Sequence, residues 1–396
     1  MIYTDAYFDE YQERRGSGST KWDGCNEKFQ VDSTEDIIPM WIADMDFRSP
    51  QEVIDTIVER AKFGSYGYTI KDDALYEVVM QWVERRYNWT IEKDWIVFSP
   101  GVIPGFNIAI QSLTDPGDGI IVQTPVYYPF MEAADRNGRT LVTNPLIEND
   151  GDWFIDFEDL ETKVKEPNNK MLIFCSPHNP VGRLWTKEEI IRLSKLCADY
   201  GVILLSDEIH ADILMKGKEF HSVNAAAEEF QHNTITYYAP SKTFNLAGLQ
   251  VSFAIIPDKK MRNEYTKGLN ANRIFNINWF GSAATKTAYT QCDDYITALC
   301  KYVESNMDYM KEFLDSRLPM LKMKKPDATY MVWVDFKGTG MSTEEIERFI
   351  VEEAQIAVDM GSWFGQGGQG YLRFNLACPR QILIQALNQL EAALVK

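Results

Sequence analysis

Residues 170–212 read KMLIFCSPHNPVGRLWTKEEIIRLSKLCADYGVILLSDEIHAD. Two short runs in it, KMLIFC (170–175) and VILLS (202–206), are apolar at successive positions rather than alternate ones. A strand with apolar residues on both faces belongs inside a sheet that is covered on both sides. Between the runs, positions 186–200 carry apolar residues at helical spacing, which predicts a helix. Strand, helix and strand in that order form the unit of a parallel sheet.

The same alternation extends in both directions. Further strand-like runs are WIVFS (95–99), GIIVQ (119–123), RTLVT (139–143), TITYY (234–238) and VSFAII (251–256). Helical patterns cover 51–62, 73–87, 104–113 and 258–270. The expected fold is α/β, with a mostly parallel seven-stranded sheet covered by helices. Beyond about 290 the character changes. An amphipathic stretch (294–316) leads to YMVWVDF (330–336), a helix (343–355), YLRFNLA (371–377) and a last helix (380–394), which read as an α+β module. A chain of 396 residues also exceeds what one core usually serves. The pattern changes near 50 and near 290, so a large domain is expected over 51–290, with 1–50 and 291–396 outside it.

Charge and composition exclude several classes of function. Lys plus Arg number 40 against 58 for Asp plus Glu, a net charge of −18, which repels nucleic-acid backbones. Six scattered cysteines, at 25, 175, 197, 292, 300 and 378, form no CxxC pair, so neither a disulfide framework nor a zinc site is expected. No run approaches 18 apolar residues, and MIYTDAYFDEYQERRG (1–16) lacks an apolar signal region. A cytoplasmic protein with no membrane partner is expected.

In open α/β sheets, ligands bind beyond the carboxyl ends of the strands. Five loops there carry chemistry. WIVFS leads into PGVIPG, a glycine turn feeding a helix N-terminus suited to a phosphate. GIIVQ leads into TPVYYPF, whose tyrosines offer a face for stacking a planar ring. KMLIFC leads into SPHNPVGR, in which an Asn amide is held between prolines. VILLS leads into DEIHAD, where a carboxylate beside a buried run needs a cationic partner. That partner could be a metal or a protonated ring nitrogen, but four histidines with no HxxxH or HExxH pair disfavour a metal. TITYY leads into APSKTFNLAGLQ, where Lys242 can be desolvated and thus nucleophilic. Four of the five loops, taken alone, also have an ordinary structural reading: a connection, packed aromatics, a turn, a solvated lysine. Taken together they supply what pyridoxal 5′-phosphate (PLP) needs.

The motifs KWDG (21–24), PMWIADMDF (39–47), FGSYGYT (63–69), TPVYYPF, SPHNPVGR, SDEIHAD, SKTFNLAGLQ and YLRFNLACPR occur in this order along nearly the whole chain. In that respect the sequence resembles fold-type I PLP enzymes of the aspartate aminotransferase superfamily, in their cystathionine β-lyase / C–S lyase (MalY/PatB-type) branch. The resemblance implies that Lys242 carries the Schiff base and Asp207 pairs with the pyridine nitrogen. It places Tyr127 on the ring and Asn179 at the ring hydroxyl. It assigns the phosphate to the amides of Val102 and Ile103, to Ser241, and to Tyr68 from a partner subunit of a homodimer. Arg373 would bind the substrate carboxylate alongside Asn179. In YLRFNLA, Tyr371, Arg373 and Asn375 alternate with Leu372, Phe374 and Leu376, so Arg373 is expected on the polar face of a half-buried strand.

Three positions depart from the common aminotransferase pattern. They are Ala239 in place of a serine, Gln250 in place of an arginine, and His210 in place of a tyrosine at the ring oxygen. The resemblance ties His210 and Gln250 to the lyase branch. It implies β-elimination of cystathionine or another S-substituted cysteine to thiol, pyruvate and ammonia. Two alternatives stay open at this point: an aminotransferase on the same scaffold, and a PLP-containing regulatory protein that docks to a transcription factor.

Overall fold

The computed structural model describes residues 3–31 and 35–395. The seven apolar runs form one sheet: β1 (Ile96–Ser99), β2 (Gly119–Val122), β3 (Thr140–Thr143), β4 (Asn169–Cys175), β5 (Ile203–Asp207), β6 (Thr234–Tyr238) and β7 (Ser252–Ile255). Their spatial order is β1-β7-β6-β5-β4-β2-β3. Neighbours from β6 through β3 run parallel. Only β7 runs the other way, antiparallel to β1 and β6. β1, β2, β4, β5 and β6 therefore end on one edge, and all five loaded loops meet there.

Helices join and cover the strands. The one expected over 186–200 spans Lys187–Tyr200 and starts with a capping box between Thr186 and Glu189. It ends at Gly201, whose φ of 69° suits a residue without Cβ. The helix after β1 spans Val102–Leu113. Helices Gln51–Lys62, Asp73–Tyr87 and Lys259–Ala271 lie within a residue of their expected bounds. A helix over Trp279–Gln291, absent from the sequence expectation, packs on the first two of these.

Toward the carboxyl end a second, antiparallel sheet forms from β8 (Lys322–Met323), β9 (Met331–Asp335), β10 (Asp359–Met360) and β11 (Tyr371–Asn375), in the order β8-β9-β11-β10. Helices Asp293–Arg317, Thr343–Glu352 and Arg380–Leu394 accompany it. A short parallel pairing of Ile38–Pro39 with Ile356–Ala357 ties the amino-terminal segment to this part.

The expectation for β11 needs correction. The strand is buried on both faces, not half-buried. Leu372 and Phe374 enter the main core as expected. The polar face is covered too. Tyr371 stacks on Trp333 at 5.1 Å, Arg373 reaches Asn179 in the loop after β4, and Asn375 Nδ2 donates to the carbonyls of Ile42 (2.9 Å) and Asp44 (2.7 Å). Polar residues on a strand therefore marked a site between two sheets, not a surface.

Candidate active site

The strand ends enclose a cavity of about 190 Å³. It is lined by Val102, Ile103, Tyr127, Asn179, Asp207, His210, Ser241 and Lys242, so eight of the ten sequence-expected residues come together. Arg373 reaches this group through Asn179. Tyr68 does not: it is 101% exposed, on a segment (64–72) without helix or strand.

At one end of the cavity, Gly101 precedes the Val102–Leu113 helix with a φ of 151°, which strongly favours glycine. No side chain caps this helix, so the N–H groups of Val102 and Ile103 face the cavity end with the helix dipole behind them. Gly105 lets the helix settle on β6, since a Cβ there would stand 2.8 Å from the Tyr237 ring.

The acids of DEIHAD separate by strand alternation. Asp207, the last residue of β5, lies at the cavity, while Glu208 points away and accepts from Ser206 Oγ (3.0 Å), Val223 N (2.8 Å) and Tyr238 OH. Asp212 is held by Tyr87 OH (2.9 Å), Thr243 Oγ1 (2.9 Å) and Arg86. Asp207 accepts from Ile209 N (3.1 Å) and has no ion-pair partner among the described residues. Burial pushes its pKa up to about 7, against the opposing pull of the Ile209 N–H and Lys242.

Lys242 follows β6 and directs Nζ to the carbonyl of Ala43, 2.6 Å away. Desolvation and, after it, the charge of Arg373 lower its pKa to about 8. His210 is buried, its Nδ1 has no hydrogen-bond partner, and desolvation drives its pKa well below the usual histidine range, so the ring is neutral. Tyr127 is tied by its own N–H to the Asn179 carbonyl (3.1 Å), and burial raises its phenol pKa. Asn179 Oδ1 accepts from Arg373 Nη1 at 2.7 Å.

Three groups at the site were assigned no role by the sequence reading. Ala43, in the motif PMWIADMDF, takes part through its backbone carbonyl, which residue type cannot announce. Cys175 lines the cavity from the end of β4. Asp359 forms an ion pair with Arg373. Its signal was a carboxylate within the apolar run IAVDM.

The residues fit PLP. A buried carboxylate with no ion-pair partner among the described residues, an imidazole with an unpartnered nitrogen, an uncapped helix N-terminus and a desolvated lysine all line one small space. Among the described residues no group of His, Cys, Asp and Glu could hold a metal. Among the described residues no helix is long and apolar enough to cross a membrane.

The model of the family "Aminotransferase class I and II" matches residues 35–390. Cystathionine β-lyase PatB of Bacillus subtilis is 40% identical, over 98% of this chain and 99% of its own. The structure of cystalysin from Treponema denticola, which contains a pyridoxal 5′-phosphate cofactor, superposes with a TM-score of 0.96 at 36% identity, covering 100% and 99% of the two chains. The PLP-bound C–S lyase of Staphylococcus hominis gives 0.92 at 32% identity, over 100% and 99%. The chain therefore belongs to the aminotransferase class I and II family, on its branch of PatB-type cystathionine β-lyases and C–S lyases.

Proposed function

We propose that this protein is a PLP-dependent carbon–sulfur β-lyase that cleaves cystathionine or a related S-substituted cysteine to a thiol, pyruvate and ammonia. The observation that carries the reading is that Lys242 and Asp207 line one cavity, on a chain similar over 98% of its length to a cystathionine β-lyase. When bound, PLP supplies the electron sink that lets a Cα proton and then a Cβ thiolate leave.

The chain's own groups supply the rest. Asp207 would keep a proton on the pyridine nitrogen, and that cation would in turn hold Asp207 ionised. Tyr127 would stack on the ring, and Asn179 and His210 would approach the ring oxygen. Val102 and Ile103 N–H and Ser241 would hold the phosphate. Lys242 would attach the cofactor through Nζ and, once displaced by the substrate amine, move the Cα proton. A pKa near 8 leaves part of it neutral at physiological pH, as a base requires. Arg373 and Asn179 would hold the substrate carboxylate.

The same reading divides the chain into a PLP-binding domain (51–290) and a smaller domain (1–50 and 291–396, of which 1, 2, 32–34 and 396 lie outside the described residues). It takes the working unit to be a cytoplasmic homodimer with shared sites. The exposed Phe63, Tyr66, Tyr68 and Ile70 on one short segment support this; such a cluster of large apolar groups marks an interaction surface.

The test is an assay of purified protein with cystathionine, with and without an added 2-oxo acid. Sustained release of pyruvate and thiol without the oxo acid is expected. Turnover that stops near one equivalent per site and resumes only with an oxo acid would make the protein a transaminase.

A further inference from the structure

Arg373 and Asp359 stand directly opposite each other in the pairing of β11 with β10, and both are about 1% exposed. Their ion pair is closed through Arg373 Nη2 and Asp359 Oδ2. Nη1 is taken by Asn179, Phe364 lies 4.9 Å from the guanidinium carbon, and Nε has no partner. A guanidinium buried this deeply needs a counter-charge, and Asp359 provides it from within the protein. A clamp for the substrate carboxylate would then already carry an anion before the substrate arrives. The two charges also act in opposite directions on Lys242: Arg373 pushes its pKa down, and Asp359 pulls it back up.

We infer that Asp359 is a positioning and specificity-determining residue that aims the Arg373 guanidinium and sets how tightly the site holds a carboxylate. The inference rests on the reading of Arg373 as the carboxylate clamp. An uncompensated buried arginine would hold any small carboxylate, the pyruvate product included. That is uniform binding, which slows release without helping the chemistry. With Asp359 alongside, a lone carboxylate is held weakly. A productive ligand must bring its amine as well.

The experiment uses the holoenzyme and propionate, an unreactive monocarboxylate, with affinity read by calorimetry and by competitive inhibition. Asp359→Asn keeps an acceptor for Nη2 and removes the charge. It is expected to bind propionate at least about tenfold more tightly, with substrate KM falling more than kcat changes. Asp359→Ser, a smaller uncharged variant, is expected to tighten binding too, and Asp359→Glu is not. The midpoint of the bound cofactor's absorbance change with pH is expected to move down in the uncharged variants, because an anion near Lys242 is gone. Equal or weaker propionate binding in whichever uncharged variant folds overturns the inference while leaving the lyase reading intact. Propionate binding that survives Arg373→Met removes the clamp itself, and the inference with it. Absence of pyruvate release in the wild type is the separate failure of the lyase reading.

Discussion

Lys242 Nζ donates to the carbonyl oxygen of Ala43 at 2.6 Å, across 199 positions of sequence. The same oxygen accepts from Tyr330 OH at 3.0 Å. The preceding residue, Ile42, has a φ of 29°, a conformation that costs a β-branched side chain dearly. Asn375 Nδ2 pins that turn through the carbonyls on both sides of Ala43, and Asn375 lies two positions after Arg373 on β11. One strand thus carries Arg373, the proposed carboxylate clamp, and also fixes the carbonyl that accepts from the lysine. An ammonium donates to a carbonyl more strongly than a neutral amine does, so the contact holds Nζ in place and works against the desolvation that lowers its pKa.

Lys242→Ala should abolish covalent attachment of the cofactor. Borohydride reduction of the wild type should leave the cofactor fixed to the peptide containing residue 242, and no such product should form in the variant. Turnover should fall by several orders of magnitude, since the proposed attachment point and the proposed base are one residue and would go together. Wild-type turnover in Lys242→Ala would refute the assignment.

Asp207 gives a stability test that needs no catalysis. In cofactor-free protein its carboxyl pKa is raised from 3.8 to about 7 by burial. A raised carboxyl pKa favours the folded state fully below the unfolded value. That advantage is lost as pH climbs from 3.8 toward 7. At pH 8 the wild type carries the whole cost of a buried, unpaired carboxylate, on the order of a few kcal/mol. Cofactor-free Asp207→Asn, which can still accept the Ile209 N–H, should therefore melt well above the wild type at pH 8 and close to it at pH 4. With cofactor bound, the order should reverse and turnover should drop by several orders of magnitude. Equal melting temperatures at pH 8, or a loss of activity below about tenfold, would mean that another residue pairs with the ring.

How far the sequence was legible follows from where each signal lies. The inner strands of the large sheet were legible because hiding both faces leaves a largely apolar run; the edge strand β3 is only partly covered. The helix over Trp279–Gln291 was missed because Gly281, Ser282, Ala284, Thr285, Thr287 and Ala288 are all buried, and such small residues draw no apolar stripe. Asp207 was legible because it ends a strand, and Asn179 and Lys242 because each lies in the loop after one, at the sheet edge where ligands bind. The burial of Arg373 was not, since its cover comes from Asn179, 194 positions away, and from Asp359. Periodicity within β11 separates two faces but does not show what covers them.

Tyr68 offers the test of a shared site. It is fully exposed in the single chain and lies outside the cavity, so any contact it makes with cofactor must come from a neighbouring copy. Tyr68→Ala and Lys242→Ala should each be inactive alone. After random re-assortment, half the dimers are hybrids with one intact site, so activity should approach about a quarter of the wild type. Mixtures that stay inactive while mass spectrometry shows hybrids would end the shared-site idea.

His210 is buried, neutral and left with an unpaired Nδ1, while its ring meets Tyr330 edge-on at 5.9 Å. An unpaired buried donor or acceptor costs roughly 1–3 kcal/mol. A residue kept only for packing would be better served by an apolar ring of similar shape, which could keep the edge-on contact. His210→Phe should therefore leave cofactor-free protein as stable as the wild type, or more stable. If the imidazole bonds the cofactor ring oxygen, the same change should weaken cofactor binding by about tenfold, the value of one hydrogen bond to a charged group. Its thermal stabilisation by added cofactor should shrink to match. Melting curves at a series of cofactor concentrations separate the two effects in one experiment. A variant that is less stable without cofactor, yet binds it as tightly as the wild type, would show that the histidine serves the core and not the site.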